Sequence, residues 1–157
     1  MSTPGADPAG LRARILEILA EHRLMSIATV RPDGWPQATV VGYAHDGLSL
    51  YFVTPRTSQK VQNIAREPRV SIAIGGEHDR SLRGLSMAAL AAEVTDPGEV
   101  ERLNQLVFAR YPEHRVFAPS AVSVSLIKAV PQIVSVIDYA DDARRTELVR
   151  LGEGLSV

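Results

Sequence analysis

The chain has 157 residues, of which 45% are hydrophobic and 22% charged, with a formal net charge of −1. This composition is typical of one globular domain large enough to bury a core, and the lack of a basic excess argues against a nucleic-acid partner. The sequence contains no cysteine, which excludes disulfides, thiolate metal sites and a cysteine nucleophile. No apolar run is long enough for a membrane span, and the first ten residues lack the regions of a signal peptide. We therefore expect a cytoplasmic protein.

The N-terminal part predicts a tail followed by a helix. We expect residues 1–8 to be disordered and residues 9–151 to form a single domain. Asp7 and Pro8 are typical of an N-cap and a first helical residue, and the helix continues to about His22. Its apolar stripe, which should pack on the rest of the domain, consists of Leu11, Ile15, Ile18 and Leu19.

Three predicted strands follow, joined by short turns. They are Leu24–Val30, Trp35–Ala44 and Leu48–Val53, separated by Arg31–Gly34 and by His45–Gly47. Such a series forms an antiparallel meander. The single tryptophan at the start of the second strand either stacks on a ligand or packs at the end of the hairpin.

The next segment predicts a helix with an unusual charge distribution. Ser58–Arg66 carries apolar residues at helical spacing, Pro68 ends the helix, and Val70–Ile74 is a strand. Lys60 lies in the first helical turn, whereas the nearest acid, Glu67, follows the last one. This order is the reverse of what the helix dipole favours.

Two interpretations of this helix start remain open. The hydroxyls of Thr54, Thr57 and Ser58, free backbone N–H groups and the Lys60 ammonium together could hold a phosphate. Alternatively, the segment is a solvated basic turn capped by Thr57 or Ser58. The residues by themselves favour neither interpretation.

The second half of the chain predicts further strands around one helix. Leu82–Val94 has the alanines and leucines of a helix, but its small residues alternate with larger ones as in a closely covered strand. Asp96 and Pro97 begin a helix that ends at about Tyr111, with Glu99 placed as in a capping box.

The last third predicts two strands and a short helical turn. In Ser120–Val130, a half-buried strand, Val122, Val124 and Leu126 alternate with Ser123 and Ser125. Pro131 makes a turn, Ile133–Tyr139 is the final strand, and Thr146–Leu151 is one short helical turn. Closing these strands into a barrel would remove the edges of the sheet.

The sequence lacks the motifs of several kinds of chemistry. The sequence has no Gly-rich nucleotide loop and no His-Glu-x-x-His motif, and no serine stands in a Gly-x-Ser-x-Gly context. The four histidines never fall at the spacing of metal ligands, and the polar loop Glu77–Ser81 is more typical of a solvated segment, so we predict no metal site. If the protein is a catalyst, a bound cofactor supplies the reactivity.

The order of the segments resembles one known family. A helix followed by MSIATVRPDGWPQATVVGY, LYFVTPRTSQKVQNIAREPRVSIAI and GLSMAALAAEV is similar to the pyridoxamine 5′-phosphate oxidase-like, FMN-binding split-barrel family. The most specific part is the run of Ser58, Lys60 and Asn63, followed by Arg66–Val70. The resemblance covers about residues 11–94 and extends more loosely to Tyr139.

The resemblance implies a fold and a site. The fold is mainly β, a six-stranded antiparallel split barrel with inserted helices that forms a homodimer with FMN at the subunit interface, so Leu82–Val94 should be a strand. Backbone groups of one strand would face the flavin ring, and Thr39 could also donate to it; that strand segment is Ala38, Thr39, Val40 and Val41. Val53 and Thr54 would lie along the ring and the ribityl chain, and the phosphate would be held by Ser58, Gln59 and Lys60. No catalytic residue is assigned.

The sequence departs from the family pattern at positions that carry charge. True pyridoxamine-phosphate oxidases have an arginine around Thr39, a lysine near Ala44 and an arginine at Gln59. The segment Ala140–Arg145 also replaces a glycine- and aromatic-rich tail. Genuine pyridoxamine-phosphate oxidase activity is therefore not expected.

The resemblance leads to one expected function and three alternatives. We expect an FMN-binding oxidoreductase that passes hydride or electrons between a reduced nicotinamide and a small acceptor. The same barrel could instead hold a deazaflavin, or a haem with His114 as the best candidate ligand. The third alternative is a cofactor-free dimeric binding or regulatory module.

Overall fold

The computed structural model describes residues 8–78, 81–113, 123–139 and 145–151. This part of the chain contains three helices, α1 (Pro8–Glu21), α2 (Gln59–Arg66) and α3 (Pro97–Arg110). It also contains eight strands: β1 (Leu24–Val30), β2 (Pro36–Gly42), β3 (Ala44–Asp46), β4 (Ser49–Pro55), β5 (Arg69–His78), β6 (Ser81–Glu93), β7 (Val124–Asp138) and β8 (Arg145–Arg150). Within these residues, no helix is long and apolar enough to cross a membrane.

All eight strands belong to one antiparallel sheet. Its order is β2-β1-β5-β6-β7-β4-β3, and β8 pairs with the end of β7. The sheet curls so that the edge strand β2 comes close to β4. Because β4 pairs with β3 only through Ser49–Tyr51, its second half, Phe52–Pro55, lies open towards β2. The predicted mainly β split barrel is confirmed, with this gap between β2 and β4 as the split, but the described part of the chain has eight strands where six were expected.

The interior of the barrel is apolar over most of its length. Alternate residues of each strand point inwards, and the apolar stripe of α1 packs against them, as its spacing predicts. The largest fully buried side chains of this core include Ile15, Leu19, Met25, Leu50, Phe52 and Ile72. The helix α1 and the inward faces of the strands therefore share one core.

The ambiguous segment Leu82–Val94 is a strand, as the resemblance implies. It forms most of β6, which pairs along nearly its whole length with β5 on one side and β7 on the other. Leu85, Met87 and Ala89 are buried, whereas Ser86 and Ala88 are exposed on the outer side. Two neighbouring strands thus decide against the high helix propensity of this segment.

Pro131 does not end a strand, and this prediction was wrong. β7 runs from Val124 to Asp138 as one strand, and its pairing with β6 shifts register between Ala88 and Ala89, opposite Pro131. A bulge of this kind tolerates a residue without an N–H. The proline therefore bends the strand instead of separating two.

Two further local predictions were wrong because a neighbouring strand was available for pairing. Thr146–Leu151 is not a helical turn: Arg145–Arg150 forms β8, which pairs antiparallel with Ile133–Asp138. The predicted turn His45–Gly47 begins later, since Ala44–Asp46 pairs with β4 as the short strand β3. A segment of three to six residues with weak local preference follows the partner that tertiary structure offers.

Candidate functional site

The start of α2 gathers polar side chains beside the split. The Lys60 ammonium donates to the hydroxyl of Thr54, with 3.3 Å between Nζ and Oγ1. The same Thr54 oxygen lies 3.3 Å from the Ser58 hydroxyl. Thr54 is buried, whereas Ser58 and Lys60 are half-buried and so remain within reach of a ligand. The structure thus brings together three of the predicted phosphate-site residues.

The helix terminus presents donors that its own side chains do not satisfy. Ser58 occupies the N-cap position, but its side chain makes no hydrogen bond to the helix backbone. The first N–H groups of an α-helix have no intrahelical acceptor, and the first turn of α2 contains no acid. The capping bond required by the alternative interpretation is therefore absent at Ser58, and the positive end of the helix adds to the charge of Lys60.

Ser125 lies at the same end of the barrel, although its alternating sequence pattern predicts only an outward-facing polar residue. It pairs with Thr54 across β4 and β7, so both side chains point into the barrel. Ser125 is only 1% exposed, and its hydroxyl has no hydrogen-bond partner among the described residues. The sequence predicted a strand with one buried face, and this prediction was wrong here. Ser125 is buried inside the barrel, and Leu126 is buried on the outer side, where it packs with Leu103 of α3.

A buried amide fixes α2 against the first hairpin. The side chain of Asn63 is fully buried, and its Nδ2 donates to Thr29 Oγ1 at 2.9 Å and to Gln37 Oε1 at 3.2 Å. Its Oδ1 accepts from Gln59 Nε2 at 2.9 Å. The network connects the helix that carries Lys60 to the strand β2 through Gln37. Asn63 was part of the sequence motif, but its partners depend on how the hairpin packs on the helix.

The predicted ring-contacting residues lie on both sides of the split. Ala38–Val41 lies in β2, which pairs with β1 alone among the described strands. Ala38 and Val40 are exposed, whereas Thr39 and Val41 are half-buried. Val53 of β4 is half-buried and packs on the cluster beneath α3. The free edge of β2 therefore offers backbone hydrogen-bonding groups, as this prediction requires.

Cations on either side of Lys60 are already paired with carboxylates. The Arg56 guanidinium lies 3.0 Å from Glu93, and Arg69 pairs with Glu67 at 2.7 Å. Hydrogen bonds from Arg69 lower the pKa of Glu67 to about 2, so this acid stays charged at neutral pH. Lys60 has no ion pair with any carboxylate in the described part of the chain. Among the described cations around this helix start, Lys60 is therefore the one without a carboxylate partner.

The structure also accounts for departures from the family pattern. Ala44 is fully buried against Val107 and Tyr111 of the α3 region, so no long cationic side chain fits at this position. The Gln59 side-chain amide donates to Asn63, so it already has a partner within the chain. Trp35 is 72% exposed at the hairpin end, so it packs on little there.

The structure does not place two segments that the sequence singles out. The candidate haem ligand His114 and most of the departing segment Ala140–Arg145 lie outside the described residues. Among the residues that are described, no three His, Asp or Glu side chains come together in a group that could hold a metal ion.

These features define a split-barrel protein with a basic, hydroxyl-lined cluster beside its opening. The chain belongs to the pyridoxamine 5′-phosphate oxidase family, because the sequence model of that family matches residues 11–135. General stress protein 26 of Bacillus subtilis (strain 168) is 32% identical over 65 residues. That match covers 41% of this chain and 46% of the relative, so the chain spans less than half the length of this curated relative.

Solved structures support the fold assignment. A putative pyridoxamine 5′-phosphate oxidase from Listeria innocua is 27% identical to this chain and superposes with a TM-score of 0.67. The match covers 80% of this chain and 97% of that protein. An F420 reductase is 28% identical to this chain, with a TM-score of 0.61. The match covers 76% of this chain and 94% of the reductase. A heme binding protein from Mycobacterium smegmatis has a TM-score of 0.72 at 20% identity, and the match covers 96% of this chain and 60% of that protein. At this identity the likeness shows the fold alone.

Proposed function

We propose that the protein binds FMN and passes hydride or electrons between a reduced nicotinamide and a small acceptor. The cluster of Thr54, Ser58 and Lys60 at the start of α2 carries this proposal. It combines a cation without a described carboxylate partner, two hydroxyls and the free N–H groups of a helix N-terminus, which is the donor set that suits a phosphate. The residues present therefore fit the phosphate end of FMN.

The remaining site residues would orient the flavin rather than react. When bound, the flavin supplies the hydride-accepting chemistry, so the chain needs no acid or base of its own for that step. Backbone groups at the free edge of β2 and the Thr39 hydroxyl would donate to the polar side of the ring. Val53 would lie along the ring through its backbone, since its side chain packs on the cluster beneath α3. The Asn63 network would hold both halves of this site at a fixed spacing.

A homodimer is part of this proposal, since one wide face of the sheet is covered by nothing in the described chain. On the outer side of β1, β2, β5 and β6, small side chains lie side by side in register. They are Ser26, Ala28, Ala38, Ser71, Ala73, Ser86 and Ala88, flanked by exposed Val40 and Leu90. A second copy of this face would pack closely on it and would cover the split at the β2 edge. Light scattering tests this: a mass twice the 17.0 kDa of the chain is expected, and a monomer would contradict it.

A deazaflavin-dependent reductase is the second candidate function. The F420 reductase favours it, because that protein is 28% identical to this chain and 94% of its length is covered. A deazaflavin such as F420 also carries a phosphate, so the same donors would serve both cofactors. Titration with F420 beside FMN separates the two candidates by their affinities.

The first experiment is the absorbance of the purified protein, followed by titration with FMN. Flavin absorbance bands, or tight binding of added FMN, support the proposal. A protein that binds F420 alone favours the second candidate, a haem spectrum favours a haem protein, and a colourless protein that binds none of them is a cofactor-free module. Oxidation of a reduced nicotinamide by the FMN-loaded protein then tests the redox half of the proposal.

The Lys60→Ala variant tests where the phosphate binds. Hydrogen bonds to charged groups contribute about 1.5–3 kcal/mol, so we expect FMN affinity to fall by about 10- to 100-fold. Riboflavin, which lacks the phosphate, should lose little. Arg66→Ala is a matched control, since it removes one cation from the last turn of the same helix, where the guanidinium donates to the Arg31 carbonyl. Equal weakening of FMN and riboflavin by Lys60→Ala would contradict the proposed phosphate site.

A further inference from the structure

The buried hydroxyl of Ser125 stands apart from the other unsatisfied polar groups of the described chain. Most of those groups belong to arginines, such as Arg83 and Arg110, whose other nitrogens form hydrogen bonds. Ser125 has a single side-chain polar atom, and that atom has no partner in the described structure. A hydroxyl buried in this way costs stability, so it calls for an acceptor that the folded chain itself does not provide.

The position of Ser125 indicates what that acceptor is. Ser125 is the register partner of Thr54, and the preceding pairs on the same inward face are apolar, namely Phe52 with Ile127 and Leu50 with Ala129. The polar end of the barrel therefore begins where Thr54 and Ser125 face each other. Thr54 contacts Lys60 and Ser58, so the charge that borders this pair is positive and favours an anion over a cation.

We propose that Ser125 is a phosphate-binding residue that completes the cluster of Thr54, Ser58 and Lys60 from the opposite strand. Its hydroxyl donates to an oxygen of a phosphomonoester and so gains the partner that it lacks in the unliganded chain. The proposal rests on the proposed function insofar as the phosphomonoester is FMN. Binding would then offset the cost of the buried hydroxyl, which makes Ser125 a residue kept for the ligand and not for the fold.

The test compares Ser125→Ala with wild type in the absence and presence of ligands. Without ligand, the variant should melt at the same temperature as wild type or higher, because the unsatisfied hydroxyl is gone. FMN affinity should fall by about 5- to 10-fold, the value of one hydrogen bond, while riboflavin affinity stays unchanged. Inorganic phosphate should raise the melting temperature of wild type more than that of the variant. A purely structural serine would give a lower melting temperature and equal losses for both flavins.

Ser123→Ala is the matched control. Ser123 lies two residues earlier, is exposed, and contributes its carbonyl to the Arg56 N–H, so the substitution leaves that bond intact. The control should match wild type in every titration. Unchanged FMN and phosphate affinities in Ser125→Ala would overturn the assignment of Ser125.

The same titrations separate this inference from the proposed function. Wild type that responds to inorganic phosphate but not to FMN would reject the flavin and retain Ser125 as a residue for another phosphomonoester, provided that Ser125→Ala loses the response. Wild type that responds to neither ligand would overturn both proposals.

Discussion

Replacing Asn63 by leucine should destabilise the protein, because a fully buried hydrogen-bond network would lose its centre. The amide makes three hydrogen bonds, to Thr29, Gln37 and Gln59, at 2.9 to 3.2 Å. Gln37 and Gln59 are half-buried and can turn to water, but Thr29 is 1% exposed and cannot. The unsatisfied Thr29 hydroxyl costs about 1–3 kcal/mol, and the two hydrogen bonds to the glutamines, which water replaces in part, add about 1 kcal/mol together, so we expect a loss of about 2–4 kcal/mol.

A double-mutant cycle with Thr29→Val makes this prediction specific. Valine has nearly the shape of threonine without the hydroxyl, and removing both partners of a buried hydrogen bond is far less costly than removing one. The double variant should therefore be more stable than the sum of the single changes predicts, by about 1–2 kcal/mol. Equilibrium unfolding in urea at one fixed protein concentration measures all four free energies, which matters if the protein is a dimer.

Gln62→Leu is the control for the change of side chain. Gln62 is the exposed neighbour of Asn63 on the same helix, so its substitution should change the free energy of unfolding by no more than about 0.5 kcal/mol. The reasoning is refuted if Asn63→Leu costs no more than this control, or if the effects of Asn63→Leu and Thr29→Val are additive.

Two further predictions concern backbone strain and pH. Gly75 has φ +130°, and a Cβ there would lie 2.4 Å from a carbonyl oxygen of β6, so Gly75→Ala should cost more than about 2 kcal/mol. Gly76→Ala meets nothing within 4 Å and should cost much less; equal losses in urea unfolding would contradict this. Burial disfavours the charged imidazole and so lowers the pKa of His45 in the folded protein. The stability that the neutral His45 contributes is therefore complete above the unfolded pKa of 6.5 and is lost as the pH falls through the lower folded value. His45→Gln should therefore reduce the drop in melting temperature between about pH 7.5 and about pH 5.5. An unchanged drop would contradict this role of His45 in the pH dependence of stability.

The fold was predictable wherever the hydrophobic pattern of one segment settled its structure. The stripe of α1 and the turn at Arg31–Gly34 follow from spacing and turn residues, and they lie where the sequence placed them. Predictions failed where a neighbouring strand outweighed the local signal. Pro131 by itself predicts a strand end, but β7 continues through it with a bulge in its pairing with β6. Thr146–Leu151 by itself predicts a helical turn, but most of it pairs with β7 as a strand.

The sequence by itself determined the family, the strands of the first hairpin and the motif that contains Ser58, Lys60 and Asn63, because those signals lie within short stretches of chain. Only the tertiary structure decided which groups meet. It placed Ser125 opposite Thr54 and turned the Asn63 amide towards Thr29, since strand register and helix packing bring together residues that are far apart in the chain. Strand register also put the Ser125 hydroxyl inside the barrel, on the inward face that it shares with Thr54, while α3 covers the outer face of the same strand.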